Sequence, residues 1–241
     1  MNFRSLNVKN ALFSALAVVS LALLPTTAQA VPISGDLNLS GRVVVDATTI
    51  TWLDLGGVHG PHDFHVLLGT DDFAHLTNTY GEALDLNSAV HPVGTPFSLP
   101  NFLTFPSDPD ITFELRLIAE CDPANCLFPG TPFNAYEETI NGILRTTVEL
   151  AMSGVARDAG SAQPGDPESF WTGTWSNAFI GVTIEDLRAA FGPGGPGFIE
   201  APYATDITVT FIPEPMTLLT FGTGTVLLAA HRRRRARKLA Q

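Results

Sequence analysis

Apolar and polar side chains alternate with a period of two along much of the chain. The alternation is clearest between Asp36 and Asp46, where leucine or valine stands at most of the alternate positions. Four long segments share it: 36–46, 110–120, 144–156 and 205–211. Shorter candidates are 49–53, 64–68, 97–105 and 170–180. Because successive side chains of a strand point to opposite faces, this pattern predicts antiparallel strands with one buried and one solvated face.

Helical signals are few. Thr183 can cap a helix whose first turn holds Glu185 and Asp186, and the Gly192-Pro193 pair would end it. A second short turn is predicted at 73–76. Many short strands between Gly/Pro turns favour an all-β body, and we predict an antiparallel two-sheet sandwich or jelly roll with one or two short helices.

Both ends of the chain carry the pattern of a targeting segment. Residues 1–30 combine two basic residues, an apolar run over 11–24 and Ala28-Gln29-Ala30, which predicts a secretory signal peptide. The other end, 212–241, has three parts: Pro213, Glu214 and Pro215, then an apolar helix over 216–230, then a basic tail over 231–241. The basic side chains are Arg232, Arg233, Arg234, Arg235, Arg237 and Lys238.

The basic tail predicts the orientation of the C-terminal segment. Lys and Arg beside an apolar segment keep that side in the cytoplasm, so the body over 31–211 would face outward. The apolar run is shorter than the roughly 20 residues that span a bilayer core, which favours a transient transmembrane sorting helix over a permanent anchor.

This three-part tail resembles the PEP-CTERM sorting signal of exopolysaccharide-producing Gram-negative bacteria, and an ordinary C-terminal anchor is the alternative. The resemblance implies recognition and processing by a membrane peptidase, exosortase. Five body segments are similar to a recurrent PEP-CTERM body type that has no established activity and therefore implies no catalytic residues. They are 64–66, 72–76, 81–86, 101–105 and 173–179.

The charge of the body excludes one class of partner. Between 31 and 212 the chain has five arginines and no lysine against 23 acidic residues. Such a surface repels phosphate backbones, so we expect no nucleic-acid binding.

The two cysteines form the sequence Cys121-Asp-Pro-Ala-Asn-Cys126. A close pair in an exported protein predicts a disulfide. A zinc site is the alternative, but it needs about four ligands and the chain has no second pair.

Other candidates for chemistry are weaker. His59, His62, Asp63 and His65 could bind a metal only from a loop, because His62 and His65 are predicted to point to opposite faces of a strand. Adjacent carboxylates are expected by chance in so acidic a body, and they occur at Asp71-Asp72, at Asp108 with Asp110, and at Glu137-Glu138. We therefore expect no metal, no cofactor and no catalytic residue.

Trp171 and Trp175 lie four residues apart, so they share one face of a strand with Phe179. Buried, they belong to the core, which is our prediction. Exposed, they would form an aromatic surface that contacts glycan rings.

The sequence thus predicts an exported surface or extracellular-matrix interaction protein without catalytic activity. Its expected partners are the export machinery, exosortase and, transiently, the inner membrane. The alternatives are a carbohydrate-binding module for exopolysaccharide and a secreted hydrolase.

Overall fold

The computed structural model describes residues 32–54, 62–160 and 168–211. The strands are β1 (Gly35–Asp46), β2 (Thr49–Leu53), β3 (Phe64–Gly69), β4 (Tyr80–Ala83), β5 (Leu86–Asn87), β6 (Leu99–Thr104), β7 (Ile111–Ile118), β8 (Phe133–Ile140), β9 (Ile143–Asp158), β10 (Ser169–Ile180) and β11 (Phe198–Phe211). The helices are a 3-10 helix (Asp71–Leu76) and α1 (Ile184–Phe191). The prediction of an all-β body is confirmed.

Eight of these strands form a closed antiparallel barrel in the order β1-β11-β10-β9-β7-β6-β4-β3, with β3 returning to β1. The closure is long, because β1 pairs with β11 over its whole length from Gly35↔Val209 to Asp46↔Phe198. The remaining strands attach at the sides: β2 pairs with the second half of β1, β5 with β2, and β8 with β9.

The predicted two-sheet sandwich or jelly roll is therefore wrong. Alternation tells which face of a strand is buried, but a closed sheet and two stacked sheets bury the same faces. The difference lies in the pairing of β1 with β11, whose partners Gly35 and Val209 are 174 positions apart. Local sequence patterns contain no information about that contact.

The predicted strands are confirmed to within two residues at their ends, except that β11 begins at Phe198, seven residues before the predicted start at Thr205. One irregularity has a structural cause: Ile118 breaks the alternation of 110–120, yet it is buried. The register of β7 against β9 shifts between Leu115 and Leu117, so that one extra residue is accommodated and the parity of the strand changes. Ile118 thereby enters the core.

Both predicted helical turns are confirmed. Thr183 and Asp186 form a capping box at the start of α1: the Thr183 hydroxyl accepts from the Asp186 N–H at 3.0 Å, and Asp186 accepts from the Thr183 N–H at 2.9 Å. The 3-10 helix buries Phe73 and Leu76 completely and packs against β1 and β3. It covers the end of the barrel at which β1 begins and β11 ends.

The barrel interior is filled by aliphatic and aromatic side chains, and nine of the 26 buried residues that the structure describes in the main core are aromatic. Trp171 stacks on Phe102 with ring centroids 6.3 Å apart and contacts Phe113 edge-on at 5.9 Å. Its indole N–H donates to the Glu114 carbonyl at 3.0 Å, so burying the ring leaves no unpaired donor. This half of the barrel is a packed core.

Glu114 is the centre of an ion network around β7 and β9. Its nearly buried carboxylate accepts from Arg116 Nε at 3.0 Å, from Arg157 Nη1 at 2.9 Å and from Ser98 Oγ at 2.9 Å. Glu168 pairs with both arginines. The hydrogen bond from Arg116, with those from Arg157 and Ser98, lowers the pKa of Glu114 from its ordinary value of 4.5 to about 2.

We predict that Glu114→Gln destabilises the protein by about 1.5–3 kcal/mol at neutral pH, the usual worth of a hydrogen bond to a charged group. Because the folded-state pKa is depressed, the contribution of Glu114 is complete above its unfolded value and is lost as the pH falls from about 4.5 toward about 2. Urea midpoints measured across this range should converge for parent and variant.

Glu138→Gln is the matched control, since Glu138 is half-exposed and lies 3.7 Å from Arg145. Exposed pairs contribute at most about 1 kcal/mol. If Glu138→Gln destabilised the protein as much as Glu114→Gln, and if both effects disappeared over the same acid range, the role given to Glu114 would be contradicted.

The predicted signal peptide (1–30) and the sorting signal (212–241, with its transmembrane helix) lie outside the described residues. None of the helices in the described part of the chain is both long and apolar enough to cross a bilayer.

Candidate functional site

An apolar cavity of about 400 Å³ opens at the end of the barrel away from the 3-10 helix. Its floor consists of three aromatic rings from three strands: Trp52 of β2, Trp175 of β10 and Tyr203 of β11. The ring centroids of Trp52 lie 6.0 Å from Trp175 and 5.3 Å from Tyr203. The floor therefore separates the packed core from the open end.

One wall of the cavity is formed by the closing strands. Val43 and Val45 of β1 face Ala201 and Ile199 of β11 across their register. The two valines and Ile199 are only half-buried, although alternation directs them to the inner side of the sheet. Apolar side chains on the inner face of a barrel that remain partly accessible are suited to contact a ligand.

The opposite wall is the segment that follows the disulfide. Cys121 and Cys126 are joined, as predicted, with their Cα atoms 5.2 Å apart. The chain then turns, and the Leu127 N–H donates to the Phe133 carbonyl at 2.8 Å. Leu127, Phe128 and Phe133 line the cavity.

Helix α1 supports this wall from outside. The Arg188 Nε donates to the Leu127 carbonyl at 2.8 Å. Phe128 and Phe191 meet edge-on with centroids 5.5 Å apart, and Leu187 is buried in a second apolar cluster with Leu127 and Ala135. The capped helix and the disulfide thus hold the wall in place.

Polar groups at the cavity are few and mostly engaged. Asp46 accepts hydrogen bonds from the backbone N–H groups of Thr48 and Thr49, each at 2.7 Å. Burial, with the nearby charge of Asp63, raises the pKa of the Tyr203 hydroxyl, so this group remains neutral. The site can bind and orient an apolar molecule, and among its described side chains we identify no arrangement of nucleophile and base.

The two predicted tryptophans are both buried, with 0% of Trp171 and 5% of Trp175 exposed. This confirms the prediction that both rings are buried in the core. The alternative of a glycan contact at Trp171 and Trp175 assumed exposed rings and is not supported by their burial, and glycan binding itself stays untested. Trp171 belongs to the packed core, whereas Trp175 also contributes an edge of the cavity floor.

The histidine segment differs from its prediction. His62 and His65 both contact Tyr80, at centroid distances of 5.1 Å and 4.9 Å, so they lie on the same side. The reason is that β3 begins at Phe64, so His62 precedes the strand and alternation does not apply to it. Asp63 is buried, and its Oδ2 accepts from the Ala83 N–H at 3.0 Å.

The prediction that this segment binds no metal stays untested. His59 lies outside the described residues, and the described part of the chain contains no group of three His, Cys, Asp or Glu side chains placed to hold a metal.

Acidic side chains from these pairs connect segments of the fold, and none of them lines the cavity. Asp72 accepts from the Ser34 N–H at 2.7 Å, Asp108 pairs with His75 at 2.8 Å, and Glu137 accepts from the Ile184 N–H at the start of α1. Each of these contacts joins segments that are distant in sequence.

Sequence analysis missed the cavity and most of its walls. The sequence does carry a signal for the first half of β11, because the apolar or aromatic residues Ile199, Ala201 and Tyr203 alternate with other residues. Pro202 interrupts the pattern typical of a strand. The polar sequence of β8 gave no comparable signal.

The sorting-motif residues Pro213, Glu214 and Pro215 and the basic residues 232–238 lie outside the described residues. Comparison of the chain with protein-family models, with curated proteins and with solved structures returns no significant match.

Proposed function

We propose that the protein is an exported, non-catalytic surface or extracellular protein whose barrel binds a small apolar molecule at its open end. The observation that carries the binding function is the cavity of about 400 Å³, whose lining is dominated by aliphatic and aromatic side chains. Sites for small molecules are typically concave, apolar and roughly 300–1,000 Å³ in volume.

The construction of the walls supports this function. A closed barrel has no free sheet edge along its wall, and its inward side chains are fixed by pairing on both sides. A cleft formed by mobile loops would have to order those loops when a ligand binds, and this entropy cost would lower the affinity. Here the disulfide, α1 and the aromatic floor order the walls before a ligand arrives.

A filling substitution tests the cavity. Val45→Trp should abolish binding of N-phenylnaphthylamine, a neutral dye that fluoresces in apolar surroundings, because the new ring occupies the space between the two walls. The measurement is a fluorescence titration of protein purified from cells that express the whole chain. Parent protein should give saturable binding.

Val44→Trp is the matched control: it makes the same change one position away, where the side chain points to the other face of β1. It should leave dye binding unchanged. Ile199→Trp fills the cavity from β11 and replaces Val45→Trp in the test if that variant fails to fold. Equal binding by the parent, by a folded filling variant and by Val44→Trp would refute the proposed site.

The two end segments support export. The signal-peptide pattern of 1–30 and the resemblance of 212–241 to a PEP-CTERM signal are independent of the barrel. We therefore propose the export machinery, exosortase and, transiently, the inner membrane as partners during maturation.

Processing should be visible by mass spectrometry of the protein released by its native host. We predict a mature N-terminus near Val31 and loss of the basic residues 232–238. Intact extracellular protein that retains this basic tail would argue against exosortase processing while leaving ligand binding unaffected.

A further inference from the structure

The cavity lining has charges of only one sign. Its charged side chains are Asp46 and Glu149, and among the residues that the structure describes no lysine or arginine lines it. The five arginines of the described part do not line the cavity, and each is in an ion pair. Their partners are Glu114, Glu168, Glu138, Glu200 and, for Arg188, Glu185. A ligand that enters this site therefore meets no arginine or lysine.

His91 does not supply a cation either. Its Nδ1 accepts a hydrogen bond from the Asn87 N–H at 3.1 Å, a geometry that requires Nδ1 to be unprotonated. Burial lowers the pKa of His91 further below its ordinary value, which favours the neutral ring. The ring packs against Phe97 at a centroid distance of 5.3 Å, so it contributes mostly apolar surface.

Asp46 keeps its negative charge at the rim. The backbone N–H of Thr48, the hydroxyl of Thr49 and the backbone N–H of Thr49 hold the pKa of Asp46 at about 2. These hydrogen bonds belong to the turn between β1 and β2, which positions the carboxylate beside the opening.

We infer that the cavity selects an uncharged apolar ligand and rejects the carboxylate of the same chain length. This inference rests on the proposed binding function. A buried carboxylate needs a cation or several donors to offset its lost hydration. The charged groups of the lining are carboxylates, its histidine is neutral, and the side chains of Thr48, Thr49, Thr131 and Asn177 already donate to protein oxygens. Alcohols, esters and ketones with an apolar chain fit the site best.

Competition between ligands that differ only in the head group tests this selectivity. N-phenylnaphthylamine bound to protein purified from cells that express the whole chain is displaced with decanol and with decanoate at neutral pH. We expect decanol to displace the dye at a concentration about tenfold or more below that of decanoate.

The possible failures are distinguishable. Decanoate as effective as decanol, with dye binding intact, would overturn the inference and leave the proposed function standing. Absence of saturable dye binding to the parent would overturn the proposed function itself, and with it the inference.

A gain-of-function variant tests the cause of the selectivity. Val45→Lys places an ammonium group at the wall of the cavity, whereas Val44→Lys adds the same charge to the other face of β1. Decanoate should become a competitor about as good as decanol for Val45→Lys only. Ile199→Lys provides the same test from β11 if Val45→Lys does not fold. Equal gains at positions 44 and 45, or no gain in either folded cavity variant, would show that the lining charge does not select the ligand.

Discussion

Gly154→Ala is expected to destabilise the barrel severely. A Cβ atom at this position would lie 1.9 Å from the Glu114 carbonyl oxygen and 2.8 Å from Trp171 Nε1. The first contact is with backbone, so it cannot be relieved by a side-chain rotation, and β7 and β9 would have to separate. Overpacking typically costs about 1–3 kcal/mol and occasionally more. We expect the free energy of unfolding, measured by urea unfolding of the purified protein, to fall by an amount at or above the upper end of this range.

Gly192→Ala provides the comparison, since it makes the same substitution after α1. There the nearest atom to a new Cβ is the Ala189 carbonyl oxygen at 3.4 Å, an ordinary contact, and the backbone φ of −80° suits any residue. Its unfolding midpoint should stay near that of the parent. Similar midpoints for both variants would mean that β7 and β9 do not approach as closely as described.

Trp171→Ala is expected to cost about 3–5 kcal/mol, the usual range for deleting a core Trp. The side chain is completely buried among Phe102, Phe113 and Trp175, with centroids 5.9–6.3 Å away. Its removal also deletes the hydrogen bond to the Glu114 carbonyl. Urea unfolding, followed by circular dichroism because a fluorophore is lost, gives the free-energy difference.

Phe170→Ala controls for loss of an aromatic residue in the same strand. Phe170 points outward and is 36% exposed, so its truncation should lower the free energy of unfolding by only about 1–2 kcal/mol, less than the loss expected for Trp171→Ala. If Phe170→Ala cost as much as Trp171→Ala, the assignment of the inner face of β10 would be wrong.

The class of fold could be predicted from sequence, because the relevant signals are local. Strand parity placed Leu37, Leu39, Trp171 and Trp175 on buried faces, and all four are buried. The cap at Thr183 and the Cys121–Cys126 disulfide are also formed within a few residues of chain. For such features the residues that decide the structure stand next to each other.

The cavity could not be predicted in this way. Its floor brings together Trp52, Trp175 and Tyr203, and its wall depends on the pairing of Val45 with Ile199 across barrel closure. Nothing in the pattern around Val45 distinguishes it from Leu37, yet Leu37 packs into the core and Val45 faces open space. That difference arises from what lies opposite each residue in three dimensions.

The two ends of the barrel differ: one end contains the start of β1 and the end of β11, and the other end contains the cavity. β1 begins at Gly35 and β11 ends at Phe211, and these neighbouring positions lie at the end covered by the 3-10 helix. The cavity opens at the opposite end, where β1 finishes and β11 starts. In the proposed surface-attached protein, a linkage through either terminus would therefore reach the barrel at its closed end. The opening would lie on the side of the barrel away from that linkage, where the proposed ligand could enter.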